Sequence, residues 1–254
     1  MTEPNPSVLT AVDLAFGFPG CGGMRLLSNL SFSLGARQIC SVIGPSGIGK
    51  STLLKILAGL IEPTDGRVVY GAGAGGRPEV LYHPQEAMLL PWITVVENAE
   101  LGLRLSGLPR TMAPERLLSR LALGGLAGRH PAWLSGGQIE RVALARTLLT
   151  PAAVYLLDEP LSGTDYALRV AIEEFLLRFV EENDSSIILV THDLPQAAAL
   201  SDFILAVAPG AEAAEVRMIG CTDKFSSRSP VERRGSTALG PFVQDLLGLV
   251  AERR

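Results

Sequence analysis

The chain of 254 residues has little lysine, few cysteines and no long apolar run. Each shortage excludes something. The three cysteines, Cys21, Cys40 and Cys221, are odd in number and show no CxxC spacing. That argues against a disulfide framework and suits a reducing compartment. The longest apolar runs, such as "SIILV", fall far short of the ~20 residues that a membrane-spanning helix needs. The start, "MTEPNPSVLT", has no charged stretch followed by an apolar one, so it does not read as a signal peptide. No basic run stands out, the formal net charge is −4 and the pI is about 5.5. Charge therefore gives no footprint for nucleic acid, and none is expected as a partner. Lysine occurs only at Lys50, Lys55 and Lys224, with arginine supplying nearly all other positive charge.

What is present is ample apolar material. Hydrophobic residues make up 47% of the chain, enough for a sizeable core in one domain with an insertion or in two small domains. A mean hydropathy of +0.29 is high for a chain without a spanning segment. A core rich in Ala, Leu and Val accounts for it, and a membrane-bound partner is a second reason.

The first seventy residues read as short strands and turns. "VLTAVDLAF" and "NLSFSL" alternate in part, and "QICSVI" is a short buried-strand pattern. "KSTLLKILAGL" has helical spacing. "GRVVY" and "PEVLYH" flank the glycine run "GAGAGG", which reads as a hairpin turn because no helix follows it. From Gln85 to about Ala132 the texture is helical. Strands "AVYLL", "SIILV" and "FILAVA" then alternate with helical segments, as βαβ units of a mainly parallel sheet do. "KFSSRSPVERRGST" reads as a loop. The last segment sets Phe242, Val243, Leu246, Leu247 and Val250 on one helical face, to dock on its own core or on a second copy.

Three motifs carry chemistry. Gly44, Pro45, Ser46, Gly47, Ile48, Gly49, Lys50 and Ser51 match G-x-x-x-x-G-K-S/T, followed by Thr52, between an apolar strand and a helix. Such glycines let the backbone curl so that successive N–H groups point at phosphate oxygens, and the helix N-terminus adds partial positive charge. Lys50 can reach the β- and γ-phosphates, and the Ser51 hydroxyl can ligand Mg²⁺. The bland alternative, a chance glycine-rich turn, would not need the strand and helix on either side. In "VYLLDEP" an apolar strand ends in Asp158 and Glu159. Asp158 can hold Mg²⁺ through its water shell, and Glu159 can deprotonate an attacking water. In "WLSGGQIERVALARTLL", Ser135, Gly136, Gly137 and Gln138 open a helix, a second anion-binding helix end. A simple helix cap would not need two glycines and a glutamine as well.

"LSGGQ" resembles the signature of ABC-type ATPases. The order P-loop, glutamine, "LSGGQ", "LLDEP", "THD" is similar to that family's over roughly residues 8 to 210. The resemblance implies an α/β fold: a RecA-like P-loop ATPase core with an N-terminal antiparallel β part and an inserted helical subdomain. Residues 1–215 would form the ATPase domain, with the insertion at about 86–134, and residues 216–254 a tail with a short amphipathic helix. It implies ATP and Mg²⁺, and a head-to-tail homodimer in which each signature closes over the partner's γ-phosphate. Gln85 resembles the glutamine that touches Mg²⁺ or the water, so Ser51, Gln85 and Asp158 would serve the metal. His192 resembles the switch histidine at the γ-phosphate. His83 and His130 match no catalytic position and read as packing or surface residues. "SGTD" stands where the family usually reads S-A-L-D. Ser162 and Asp165 are kept, and Gly163 is expected to loosen the loop. Phe18, or else Phe16, is expected to stack on adenine.

"LLPW" and "T-V-x-E-N", after Gln85, resemble importers of the nitrate, sulfonate and taurine group. That implies transmembrane permease subunits, an extracytoplasmic solute-binding protein and a small anionic solute. The ATPase would sit peripherally on the cytoplasmic face of the inner membrane. Pro91 and Trp92 either anchor the permease or fill the insertion's own core. Two rivals are a non-transport ABC ATPase and a cassette that binds ATP with little hydrolysis. The absence of zinc motifs and of a second cassette disfavours the first. Intact Lys50, Asp158, Glu159 and His192 disfavour the second.

Overall fold

The computed structural model describes residues 7–17, 25–71, 80–210 and 213–251. Its centre is a six-stranded sheet in the order β5 (Val80–His83), β6 (Val154–Asp158), β7 (Ser186–Val190), β3 (Ile39–Ile43), β8 (Phe203–Ala208), β9 (Glu215–Gly220). All neighbours run parallel except β9, which pairs antiparallel to β8. Every residue of β3, β6 and β7 is buried, as expected for parallel strands covered on both faces.

The period of two sorts each strand between two cores. On β6, Tyr155 and Leu157 face the helical side, where they meet Leu148, Ile172 and Phe179. Val154 and Leu156 face the other side, toward Leu53, Leu54 and Leu57 of α1 (Lys50–Leu57). Beyond α1 lies a separate antiparallel sheet, β2 (Arg25–Gly35), β1 (Ser7–Gly17) and β4 (Asp65–Tyr70), in that order. The strands flanking "GAGAGG" thus do not form a hairpin: β4 belongs to the antiparallel sheet and β5 to the parallel one. Gly71, the first residue of that run, is described, and residues 72–79 lie outside the described residues.

The insertion contains α2 (Val95–Ala99), α3 (Leu101–Ser106) and α4 (Pro114–Arg120). "T-V-V-E-N" has a local explanation. Thr94 and Glu97 form a reciprocal capping box on α2. Asn98 is fully buried; its amide donates to the carbonyls of Leu90, Ile93 and Thr94 and accepts from the Leu90 N–H. One side chain thus pins the loop that carries Pro91 and Trp92. The chain returns to the sheet through α5 (Gly136–Leu149), α6 (Tyr166–Glu182) and α7 (Leu194–Leu200).

β9 was not evident from the sequence. It is an edge strand with Glu215 and Arg217 exposed, so it lacks the apolar run of its neighbours. It also carries the core sheet across the expected boundary at 215/216. The segment expected to be a loop contains α8 (Pro230–Gly235), capped by Ser229, whose hydroxyl accepts from the Glu232 N–H, with proline in its first turn. Beyond it, α9 (Leu239–Val250) buries Phe242 and Leu246 in a third cluster with Ile43, Ala197, Ile204 and Phe225. Leu247 is 49% exposed, so it lies off that face.

Candidate active site

The register of the parallel sheet gathers the motifs. Val42 pairs with Val190, Asp158 with Val190, and His83 with Leu157. The P-loop, Asp158–Glu159, His192 and Gln85 therefore all emerge at the carboxyl ends of neighbouring strands, the edge where open α/β sheets bind ligands. There Ser46, Gly47, Gly49, Lys50, Ser51, Thr52, Gln85 and Glu159 line a cleft of about 310 Å³. Gly44, Pro45 and Ile48 complete the same loop. Gly49 has φ +103°, a conformation that L side chains rarely adopt, just before the N–H groups of α1.

Lys50 is 7% exposed, and its amine donates to the carbonyls of Gly44 (2.9 Å) and Pro45 (2.8 Å). Burial lowers its pKa, against the opposing pull of Glu159 and Asp158. The amine thus stays tied to the loop that it serves. Asp158 is 2% exposed and accepts from the Tyr82 hydroxyl at 3.3 Å through Oδ2. Burial raises its pKa, while the nearby Ser51 hydroxyl and the hydrogen bond from Tyr82 hold it down. Its Oδ1 is buried and accepts no hydrogen bond. A carboxylate oxygen left without a donor beside Ser51, at the floor of a phosphate loop, fits a water of the Mg²⁺ shell.

Glu159 follows in the left-handed region, with φ +50°. This is an uncommon backbone for a non-glycine residue, held here by its N–H donating to the Val190 carbonyl at 3.1 Å. The turn brings Glu159 to the wall of the cleft, and His192, in the adjoining hollow outside that cleft, has its Nδ1 3.2 Å from Oε2. The histidine side chain is 67% exposed and the glutamate 21%.

Ser135–Gln138 do not line this cleft. Ser135 caps α5: its hydroxyl accepts from the Gln138 N–H, and the Gln138 side chain accepts from the Ser135 N–H. Gln138, expected to be surplus to a cap, is the second half of a capping box. Around Gly136 a β-carbon would meet nothing within 4 Å, so the helix end is open on that side. Gly137 is different: a β-carbon there would lie 2.3 Å from the Gly163 carbonyl oxygen. The expectation that Gly163 loosens its loop is corrected. Its N–H donates to Glu140 at 2.9 Å, and Ser162 donates to the same carboxylate oxygen at 3.4 Å. Asp165 caps α6 by accepting from the Leu168 N–H.

Phe18 lies outside the described residues. Phe16 is 6% exposed within the antiparallel core, which does not leave its ring open to a base. His83 is buried against Thr147, and His130 is exposed. Sequence reasoning missed Tyr82, Glu140 and Asn98. Tyr82 has a visible signal, three residues before Gln85 at the end of a strand beside β6; Glu140 has none beyond its place one turn into α5.

A family model described as ABC transporter matches residues 27–162. The aliphatic sulfonates import ATP-binding protein of Pseudomonas putida is 37% identical over 254 residues, covering 98% of this chain and 90% of that one. The chain belongs to the ABC transporter family. The taurine import ATP-binding protein of Chromobacterium violaceum is 36% identical, with 80% of each chain covered. Among solved structures, a bacterial ABC transporter cassette determined as a dimer has a TM-score of 0.71 and 26% identity over 84% of this chain and 98% of that one. A dimeric post-hydrolysis cassette bound to ADP and Pi matches at TM-score 0.70 and 26% identity, with the same coverage. This ABC subunit is an ATPase that uses ATP with Mg²⁺, built on the RecA-like core. No helix among its described residues is long and apolar enough to cross a membrane.

Proposed function

We propose that this subunit powers the import of a small organic anion of the sulfonate class through a transmembrane permease. It would work as a head-to-tail pair on the cytoplasmic face of the membrane, fed from outside by a solute-binding protein. The observation that carries the hydrolytic part is Glu159 in the wall of the P-loop cleft, with His192 Nδ1 3.2 Å from its carboxylate. Lys50, Ser51, Thr52 and the loop N–H groups bind the triphosphate. Ser51 and Asp158, with Gln85 in the same cleft, would hold Mg²⁺, which would neutralise phosphate charge when bound. Glu159 takes a proton from the attacking water as the water oxygen bonds to the γ-phosphorus and the bond to the bridging oxygen breaks, giving ADP and phosphate. His192 steadies the carboxylate and faces the γ-phosphate. Ser135–Gln138, outside the cleft of their own chain and open at Gly136, serve the partner's nucleotide.

The solute class comes from the relatives' names together with "LLPW" and "T-V-x-E-N". Two exposed features support a permease contact. Trp92 is 70% exposed on its pinned loop, and Leu81, Tyr82, Gly102, Leu105 and Arg146 line a groove of about 390 Å³. The test has two parts. Deleting the gene should abolish growth on taurine or alkanesulfonates as sulfur source, and the parental gene should restore it. Glu159→Gln should bind ATP normally, fail to hydrolyse it and fail to restore growth. Normal growth of the deletion strain on these sulfonates sinks the solute assignment. Parental turnover by Glu159→Gln sinks the base assignment.

A further inference from the structure

Two adjacent arginines of α8 point to different places. Arg233 is 1% exposed and donates to carbonyls at the end of α7, including those of Ala199 and Ser201, and to Ser227. It ties the C-terminal segment down. Arg234 instead forms an ion pair with Glu173 on α6, whose side chain is fully buried.

From Glu173 a buried chain runs toward the active site. Glu173 Oε1 accepts from the Gln196 amide at 3.1 Å. The Gln196 carbonyl accepts from the Thr191 hydroxyl at 2.6 Å. The Thr191 oxygen accepts from the Asp193 N–H at 3.0 Å, and Asp193 Oδ1 accepts from the Gln196 N–H at 2.9 Å. Thr191 and Asp193 are the two neighbours of His192. Asp193 also pairs with Arg169, which donates to the Thr164 carbonyl at 2.9 Å, in the loop after Glu159.

The direction of this chain depends on charge. A carboxylate can only accept, so Gln196 must present its NH₂ to Glu173 and its carbonyl to Thr191. A protonated Glu173 could present a donor, turn the amide over and leave the Thr191 hydroxyl without its acceptor. Burial favours that protonated form, and the Arg234 cation opposes it. A purely adhesive contact would be served by apolar residues without the cost of burying a carboxylate.

We infer that Arg234 is a positioning residue for ATP hydrolysis: through Glu173, Gln196 and Thr191 it sets the backbone on both sides of His192. The inference rests on the assignment of His192 and Glu159 to the hydrolytic centre. The P-loop is not part of the chain, so nucleotide binding should be spared.

The experiment measures steady-state ATP turnover, nucleotide affinity and melting of the full-length subunit carrying Arg234→Met, Arg234→Lys, Gln196→Met or His192→Ala. Arg234→Met should lower kcat about tenfold, as a small misplacement of a reacting group does, with KM and ATP affinity unchanged. Arg234→Lys, which keeps the cation, should recover to within about threefold of the parent. Gln196→Met breaks the chain while leaving the Arg234–Glu173 pair and the tail intact, so it should show the same loss of kcat even if Arg234→Met does not fold. Parental kcat in folded Arg234→Met or in Gln196→Met, beside an inactive His192→Ala, overturns the inference and leaves Arg234 as an anchor. Parental turnover by His192→Ala overturns the hydrolytic assignment beneath it.

Discussion

The carbonyl oxygen of Gly163 occupies the space a side chain on Gly137 would need, 2.3 Å from the β-carbon position. The signature helix and the loop after Glu159 thus touch backbone to backbone within one chain. Glu140, one turn into α5, completes the contact by accepting the Gly163 N–H. The second glycine of "LSGGQ" is therefore required by packing, independently of any phosphate.

This contact separates two similar substitutions. Gly137→Ala should displace the loop from Ser162 to Thr164, because a backbone oxygen cannot step aside. Gly163→Ala meets only the Glu140 carboxylate, at 2.7 Å, the far end of a flexible side chain. We expect Gly137→Ala to destabilise the fold by roughly 1–3 kcal/mol through overpacking, and to cut ATP turnover severely. Gly163→Ala should cost under about 1 kcal/mol and keep most activity. Denaturation and turnover of both variants check this; equal effects would show that the loop is free to move.

The Tyr82 hydroxyl bonds to Asp158, while the same residue lines the groove beside α3. Burial and the adjacent Asp158 push the tyrosine's own pKa up to about 12, so it remains a donor near neutral pH. Tyr82→Phe removes a bond that favours the charged carboxylate. The Asp158 pKa should rise further, and the acid limb of turnover should shift to higher pH. The Mg²⁺ concentration for half-maximal ATPase should rise roughly threefold to tenfold, the scale of one ordinary hydrogen bond, as suits a contact as long as 3.3 Å. A Mg²⁺ titration that superimposes on the parent's would remove Tyr82 from the metal site.

How much of this was legible follows from sequence separation. The P-loop is a run of consecutive residues after a strand, so its chemistry shows in order. Asp158 and His192 are legible because each ends an apolar strand, and parallel strands align their ends. Tyr82–Asp158, Gly137–Gly163 and Arg234–Glu173 join residues far apart in the chain, and nothing local to either partner announces the other. α8 escapes notice because six residues rich in charge show no apolar period. β9 escapes because an edge strand is exposed. Gln138 misleads in the other direction, since a capping box looks the same whether or not a ligand also uses the helix end.

His83 makes a pH prediction. It is 3% exposed beside Thr147, and burial, with Arg146 adding to it, pushes its pKa down to about 4. The folded protein keeps it neutral, while the unfolded chain takes up a proton below about 6.5. The unfolded state therefore binds more protons between these values, and stability falls as pH drops from about 6.5 toward 4. The full difference is worth about 3 kcal/mol. His83→Gln lacks this linkage, so its stability relative to the parent should improve steadily from pH 7.5 to 5. Denaturant curves at several pH values decide; a constant gap between the two proteins would mean that His83 titrates alike in the folded and unfolded chain.

Trp92 is the remaining case, and its exposure separates the two roles its sequence position allowed. A core residue of that size would be buried, and its loss would cost about 3–5 kcal/mol. Trp92 is instead 70% exposed, and Pro91 beside it is exposed too. Its loop is nonetheless fixed, because the buried Asn98 amide holds Leu90, Ile93 and Thr94. A rigid, exposed aromatic on a pinned loop suits a partner contact, since little conformational freedom is lost when it docks. Trp92→Ala should leave the lone subunit's stability within about 0.5 kcal/mol of the parent and its ATP affinity unchanged. Its affinity for the permease should fall by a hot-spot margin of 2 kcal/mol or more, about thirtyfold. Asn98→Ala is the contrasting variant. It frees the loop and should lower both the melting midpoint and permease binding, because a buried amide with four partners is lost. A melting curve of the subunit beside a pull-down with the permease measures all of these. Normal permease capture by Trp92→Ala would move the contact off this loop, and a midpoint lowered as far as in Asn98→Ala would return the tryptophan to a structural role.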